Sequence, residues 1–151
     1  MKHHHLGRFA GQLCFYMSPQ FQRESNGGKV SQWARSFGST PEPCHESSYV
    51  SEERLRSLPK GALRGFPQIC PDFVIELRSE SDALQDLKDK MSDWIANGAQ
   101  LGWLIDPYNR QVPIFHTNHA TEVVTGNHIA GHGPAEGFVL DLARVWNCYQ
   151  D

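Results

Sequence analysis

The most constraining feature of the chain is a central octapeptide, residues 71–78, with the sequence PDFVIELR. Its aromatic and branched residues are typical of a β-strand, in which successive side chains point to opposite faces. One face carries Phe73, Ile75 and Leu77, and the other carries Asp72, Val74, Glu76 and Arg78. Because an unpaired charge is costly to bury, the acids need partners. The pattern therefore predicts a strand with one core face and one polar face.

A helix is predicted directly after this strand. Its apolar stripe comprises Leu84, Leu87, Met91, Trp94 and Ile95. Ser81 or Asp82 is the expected N-cap, and Gly98 lies beyond the expected end. At about 100 degrees per residue, Lys88 and Lys90 flank the stripe on opposite sides, so periodicity does not choose which of them approaches the strand.

The C-terminal third predicts further strands. The segment LGWLID predicts a buried strand, and QVPIFHT its hairpin partner across the turn PYNR. Pro113 places that partner at a sheet edge or a bulge. TEVVTG and NHIAG extend the antiparallel part, and GFVLDLARVW predicts a short strand or helix that brings Trp146 into the core.

The N-terminal part gives weaker patterns. GQLCFYMSP predicts a strand, and SNGGKVSQWARSFG predicts a helix weakened by Gly27 and Gly28, with Glu24 at its start. The histidines of MKHHH suggest a tag-like or disordered segment over residues 1–10, followed by a single domain over residues 11–147. Glu24 could act chemically, or it could simply favour a helix N-terminus.

Composition limits the classes of function. A chain of 151 residues with 39% hydrophobic content is long enough for one globular core. Its net charge of -3 gives no global attraction to nucleic acid, so DNA binding would need a local basic patch. The densest basic stretch contains Arg54, Arg56, Lys60 and Arg64. It is either a solvated helix and loop or a phosphate-contacting surface.

The cysteines and the hydropathy pattern indicate the cellular compartment of the protein. The four cysteines are dispersed and form no Cys-x-x-Cys pair, which argues against a zinc ribbon or a redox motif. No apolar run approaches the length of a membrane span, and no signal peptide is evident. We expect a cytoplasmic protein without a membrane partner.

The run ICPDFVIELRSESDALQDLKDKMSDWIANGAQLGWLIDP, with RQVPIFH and GFVLDLARVW, resembles the family of putative restriction endonucleases in the PD-(D/E)xK nuclease superfamily. The resemblance covers about residues 48–146, and GQLCFYMSP and ESNGGKVSQWARSFG extend it more weakly. It implies an α/β fold with a mixed, curved sheet, flanking helices and a restriction-endonuclease-like core. It also implies Mg²⁺- or Mn²⁺-dependent hydrolysis of DNA and a homodimer.

The resemblance assigns roles to particular residues. Asp72, Glu76 and Lys90 are the implied catalytic residues, and Lys90 is selected over Lys88 because it precedes a methionine as in the family. Metal ligands would come from Glu46, Asp72 and Glu76, with Glu46 standing where the family has Asp. Residues 72 and 76 of an extended strand are separated by about 13 Å, so Asp72 binds the ion only if the strand bends, or it orients the site.

Two residues are secondary candidates, and three functions stay open. Glu24 matches an acid of the family's first helix, and Arg78 either pairs with Glu76 or contacts a phosphate. The leading hypothesis is a metal-dependent DNA endonuclease. The altered acid at Glu46 motivates a catalytically degenerate nuclease fold that binds nucleic acid or protein. A plain interaction domain would use exposed aromatics such as Trp33 or Tyr108.

Overall fold

The computed structural model describes residues 29–31, 46–60 and 70–150. The strands are β1 (Lys29–Ser31), β2 (Glu46–Val50), β3 (Phe73–Leu77), β4 (Leu101–Ile105), β5 (Gln111–His116), β6 (Glu122–Thr125), β7 (His128–Ala130) and β8 (Val139–Asp141). The α-helices are α1 (Glu52–Arg56), α2 (Leu84–Ala96) and α3 (Leu142–Cys148). A 3-10 turn spans Gly133–Ala135.

Within the described residues, the main sheet has six strands in the order β1-β2-β3-β4-β5-β6, and β7 and β8 form a separate antiparallel pair. Neighbouring strands of the main sheet are antiparallel except for β3 and β4, which are parallel. A parallel pair needs a crossover connection, and α2 provides it. The expected α/β fold with a mixed sheet is confirmed.

Strand β3 is buried on both faces. Phe73, Ile75 and Leu77 belong to the larger core cluster, where Phe73 packs edge-on against Trp103 with ring centroids 4.9 Å apart. On the other face, Val74 packs in a second cluster beneath α2. The face predicted to be polar is thus a second packed face, because α2 covers it and Val74 packs there.

Helix α2 packs through the predicted stripe. Leu87 and Met91 are buried, and Leu84, Trp94 and Ile95 pack partly buried beside them. The helix ends as expected before Gly98, which has φ 116°.

The N-cap of α2 differs from the prediction. Ala83 is the N-cap and provides no side-chain hydrogen bond. Asp82 instead accepts hydrogen bonds from the backbone N–H of Ser79 at 2.8 Å and from its hydroxyl at 2.6 Å. The Asp82 carboxylate thus binds the turn before the helix, which explains why it does not cap α2, and the Ser81 hydroxyl contacts that of Ser79 at 3.2 Å.

The helix predicted in the N-terminal part is wrong at the three of its residues that the structure describes. Residues 29–31 of the predicted helix form β1, which pairs with β2 and places Val30 opposite Tyr49. Pairing across the sheet overrides the weak local helical preference of a segment that follows two glycines. Glu24 and the predicted strand GQLCFYMSP lie outside the described residues.

The hairpin of β4 and β5 is confirmed, but the edge position of Pro113 is wrong. Strand β5 lies between β4 and β6, and Pro113 pairs with Val123 of β6. The ladder to β4 is interrupted at Pro113 and resumes at the bridge between Asp106 and Gln111. A proline lacks the N–H that a ladder needs, so it is accommodated by this local gap.

The C-terminal segment forms both of the elements that were considered for it. GFVLDLARVW contains β8 and most of α3, and Trp146 is buried. The indole Nε1 of Trp146 donates to the carbonyl of Gly126 at 2.7 Å. In the part of the chain that the structure describes, no helix combines the length and apolarity required to cross a membrane.

A glycine at the end of β7 gives a stability prediction. A Cβ at Gly131 would clash with the backbone carbonyl of Ala135 and lie 2.7 Å from its Cβ. We expect Gly131→Ala to lower the free energy of unfolding by about 2–3 kcal/mol, since backbone must move. Gly102→Ala should cost only about 1 kcal/mol, because it displaces the flexible end of Met91. Equal urea midpoints for the two variants would contradict this prediction.

Candidate functional site

A buried carboxylate and a lysine meet where α2 crosses β3. Glu76 is 5% exposed, and Lys90 Nζ lies 2.9 Å from its Oε2. Glu76 shares a face of β3 with Val74, which packs under α2, so the crossover brings the helix over this carboxylate. The lysine side chain is 43% exposed and thus accessible to an incoming molecule.

The structure distinguishes the two lysines that helical periodicity left equivalent. Lys90 contacts Glu76, whereas no ion pair forms at Lys88 among the described residues. The resemblance selected Lys90, and the geometry places that residue at the carboxylate. Its chemical role remains a proposal.

Position 46 lies beside Glu76 in the sheet. In the antiparallel pairing of β2 with β3, Glu46 is the register partner of Glu76. Directly opposed residues of antiparallel strands have Cα atoms about 4.5–5.5 Å apart and share one face of the sheet. Two acidic positions from adjacent strands are therefore neighbours. Residues 72 and 76 of an extended strand are about 13 Å apart, so a second metal-binding acid is expected on a neighbouring strand. Position 46 meets that expectation.

Asp72 occupies a different place from the other two acids. It is 2% exposed, and its Oδ1 accepts from Arg54 at 2.6 Å and from Gln100 Nε2 at 3.2 Å. Its Oδ2 accepts from the backbone N–H of Ser51 at 2.8 Å. Both carboxylate oxygens thus have protein donors. Asp72 lies just before the start of β3, whereas Glu76 lies near its end.

Arg78 pairs with a residue that the sequence reasoning missed. Its Nη1 lies 3.2 Å from Oδ1 of Asp106, and its Nε donates to the carbonyl of Asp82. The proposed pairing of Arg78 with Glu76 is wrong, because the guanidinium turns to the residue that follows β4. The sequence analysis placed Asp106 only at the end of the predicted strand LGWLID, because its pairing with Arg78 depends on the adjacency of β3 and β4.

Asp106 is fully buried and holds the hairpin turn together. Besides Arg78, it accepts hydrogen bonds from the backbone N–H groups of Tyr108 and Asn109 and from Asn109 Nδ2. The guanidinium carbon of Arg78 lies 5.4 Å from the centroid of the Tyr108 ring. Tyr108, a candidate for an exposed contact surface, is thus also part of this cluster.

Two nearby groups are unsuited to proton transfer at neutral pH. Burial raises the pKa of the Tyr108 phenol, and the charge of Glu80 raises it further. Burial likewise raises the pKa of the Cys70 thiol, which keeps it protonated and weakly nucleophilic. Neither residue is therefore an attractive base or nucleophile.

Comparison with solved structures identifies the fold. The chain is similar to the crystal structure of a putative nuclease belonging to DUF820 from Anabaena variabilis ATCC 29413, with a TM-score of 0.70. The match has 18% sequence identity and covers 98% of this chain and 82% of the other. The mixed sheet with its crossover helix is thus a fold shared with a protein described as a putative nuclease.

Comparison with protein-family models shows the family to which the chain belongs. The model of the Uma2 family, described as putative restriction endonuclease, matches residues 3–143, and the chain belongs to this family. The resemblance drawn from the sequence is confirmed. A search of curated proteins found no match.

Proposed function

We propose that this protein is a metal-dependent endonuclease that hydrolyses phosphodiester bonds of DNA. The observation that carries the proposal is the 2.9 Å contact between Lys90 and the buried carboxylate of Glu76. Membership of a family of putative restriction endonucleases supports the reaction class. An acid and a lysine in contact suit this reaction, since it needs a cation held near the phosphate and a donor for developing negative charge.

The acids of the site fit a hard divalent cation. Mg²⁺ and Mn²⁺ prefer oxygen ligands, and Mg²⁺ commonly takes one or two carboxylates together with waters and phosphate oxygens. Glu76 is a buried carboxylate, and Glu46 is its register partner. Among the side chains that the structure describes, no group of three or more His, Cys, Asp or Glu residues could hold a metal. The proposed site therefore depends on two carboxylates, with water and substrate completing the coordination.

Each protein group has a distinct role in the proposed reaction. Glu76 and Glu46 would hold the cation, which when bound would act as a Lewis acid toward the phosphate and help to activate water for attack. Lys90 donates a hydrogen bond to the attacking water or to a phosphate oxygen and stabilises negative charge. Arg78, held by Asp106, keeps the ends of β3 and β4 together beside the site. Glu24 remains a candidate supplementary acid from the sequence alone.

The first experiment is metal-dependent cleavage of supercoiled plasmid by the full chain. We expect nicked and linear products with Mg²⁺ or Mn²⁺, and none after chelation with EDTA, because the carboxylates need the cation to act on the phosphate. Readdition of Mg²⁺ should restore cleavage. If a folded, metal-replete protein leaves the plasmid intact, the proposal is wrong.

A second candidate is a catalytically degenerate nuclease fold that binds nucleic acid or a protein. Glu46 favours it, since the resemblance leads us to expect Asp at that position. Glu46→Asp should then produce cleavage that the unmodified chain lacks, while both forms bind DNA. The homodimer expected from the resemblance also remains a prediction, which sedimentation equilibrium would test.

A further inference from the structure

We propose that Asp72 is a positioning residue that fixes the register of β2 against β3 and thereby keeps position 46 opposite Glu76. The inference rests on the proposed metal-dependent function, because it concerns how the two metal-holding acids are brought together. It replaces the expectation that Asp72 is itself a ligand. The evidence is the set of contacts that Asp72 makes with three neighbouring elements.

The first contacts join Asp72 to the end of β2. Its backbone N–H donates to the carbonyl of Tyr49 at 2.8 Å, and its Oδ2 accepts from the N–H of Ser51 at 2.8 Å. These bonds bracket Val50, the last residue of β2. They continue the ladder beyond the register pair of Tyr49 and Phe73. The carboxylate therefore acts as an additional acceptor at the point where the backbone pairing ends.

The remaining contacts join Asp72 to α1 and β4. Arg54 of α1 donates to Oδ1, and the helix start is capped by Ser51 Oγ, which accepts from the Arg54 N–H at 3.4 Å. Gln100 also donates to Oδ1, and the N–H groups of Gln100 and Leu101 donate to the carbonyl of Asp72 at 2.9 and 3.2 Å. Asp72 thus connects β2, α1 and β4 from one buried point.

This network affects the proposed metal site through strand register. A shift of β2 by one residue would move every one of its side chains to the opposite face, and position 46 would no longer accompany Glu76. Direct ligation by Asp72 is disfavoured for a separate reason. An ion would have to displace Arg54 or Ser51 from a buried carboxylate and leave those donors unsatisfied.

The experiment measures Mn²⁺ binding by electron paramagnetic resonance in the full chain and in the variants Glu76→Gln, Asp72→Asn and Arg54→Ala. Glu76→Gln should abolish detectable binding. Asp72→Asn and Arg54→Ala should each weaken binding by about tenfold, the lower end of the range seen for residues that orient metal ligands. The double variant should be no weaker than either single variant, because both changes disrupt one network.

Arg54→Ala separates positioning from direct ligation. If Asp72 bound the ion, removal of its competing guanidinium would free the carboxylate and strengthen Mn²⁺ binding. Stronger binding by Arg54→Ala would therefore overturn the inference. Arg144→Ala, which removes a cation from the distant helix α3, is the matched control and should leave Mn²⁺ affinity unchanged.

Hydrogen exchange supplies a second readout that needs no metal. In Asp72→Asn, the amides of β2 and of Ser51 should exchange at least about tenfold faster, while the amides of β4 and β5 keep their protection. If Asp72→Asn lost Mn²⁺ binding while hydrogen exchange of β2 and Ser51 stayed unchanged, Asp72 would act on the ion directly. That result would overturn the inference without contradicting the proposed metal site. Conversely, Mn²⁺ binding without plasmid cleavage would contradict the proposed function alone. Absence of Mn²⁺ binding in the unmodified chain would overturn both.

Discussion

Glu76→Gln is expected to reduce metal-dependent plasmid cleavage by about a thousandfold or more. The amide keeps the shape of the side chain but removes the charge that holds the cation. Because Lys90 is 43% exposed, loss of its ion pair should change the free energy of unfolding by less than about 1 kcal/mol. The measurement is the initial rate of plasmid nicking at saturating Mg²⁺, with urea unfolding of the same preparation. Undiminished nicking would exclude Glu76 from the site.

The two lysines of α2 provide a matched comparison for the same site. Lys90→Ala should lower the nicking rate by about a hundredfold or more, since it removes the donor that stabilises developing charge. Lys88→Ala removes the same charge from the same helix without affecting an ion pair of the described residues. Its rate should stay within about twofold of the unmodified chain. Equal losses in both variants would indicate a general effect of charge rather than a specific role for Lys90.

Asp106→Ala is expected to give the largest loss of stability, about 3–5 kcal/mol. The substitution leaves Arg78 without its carboxylate partner, and it removes the acceptor of several donors in the turn between β4 and β5. A buried group that loses its hydrogen-bond partner bears its full desolvation cost. The measurement is the urea dependence of unfolding followed by fluorescence.

Two further variants test the cause of this loss. Asp106→Asn retains an acceptor oxygen and should cost less than Asp106→Ala. Combining Arg78→Ala with Asp106→Ala should be less harmful than the sum of the single changes, because no unpaired guanidinium remains. A loss under about 0.5 kcal/mol for Asp106→Ala would show that the pair contributes little.

The sequence predicted those parts of the structure that depend on the pattern of residues close together in the chain. Strand β3 and helix α2 follow directly from alternation at period two and from a helical stripe. The choice of Lys90 as a site residue followed from the family resemblance, whereas periodicity alone left Lys88 equally suitable. The geometry of the β3–α2 crossover resolves that choice, because it determines which side of the helix meets the strand.

The parts that were missed depend on contacts between distant segments. The pairing of β1 with β2 overrides a local helical pattern at residues 29–31. Arg54 and Asp72 are 18 residues apart, and Arg78 and Asp106 are 28 residues apart. Nothing in the residue types or their spacing specifies such partners, since they follow only from which strands and helices are adjacent. The roles of Asp72 and Asp106 were therefore not evident from the sequence.

The parallel pair of β3 and β4 divides the candidate site into two parts that come from different segments of the chain. Glu76 and Lys90 belong to one continuous β-strand–helix–β-strand unit, so their contact requires only short loop closure during folding. Position 46 lies on β2, which precedes this unit in the chain and pairs antiparallel with β3. If the proposed metal site is correct, substitutions in β2 should alter its affinity for a cation while Lys90 and Glu76 keep their mutual geometry.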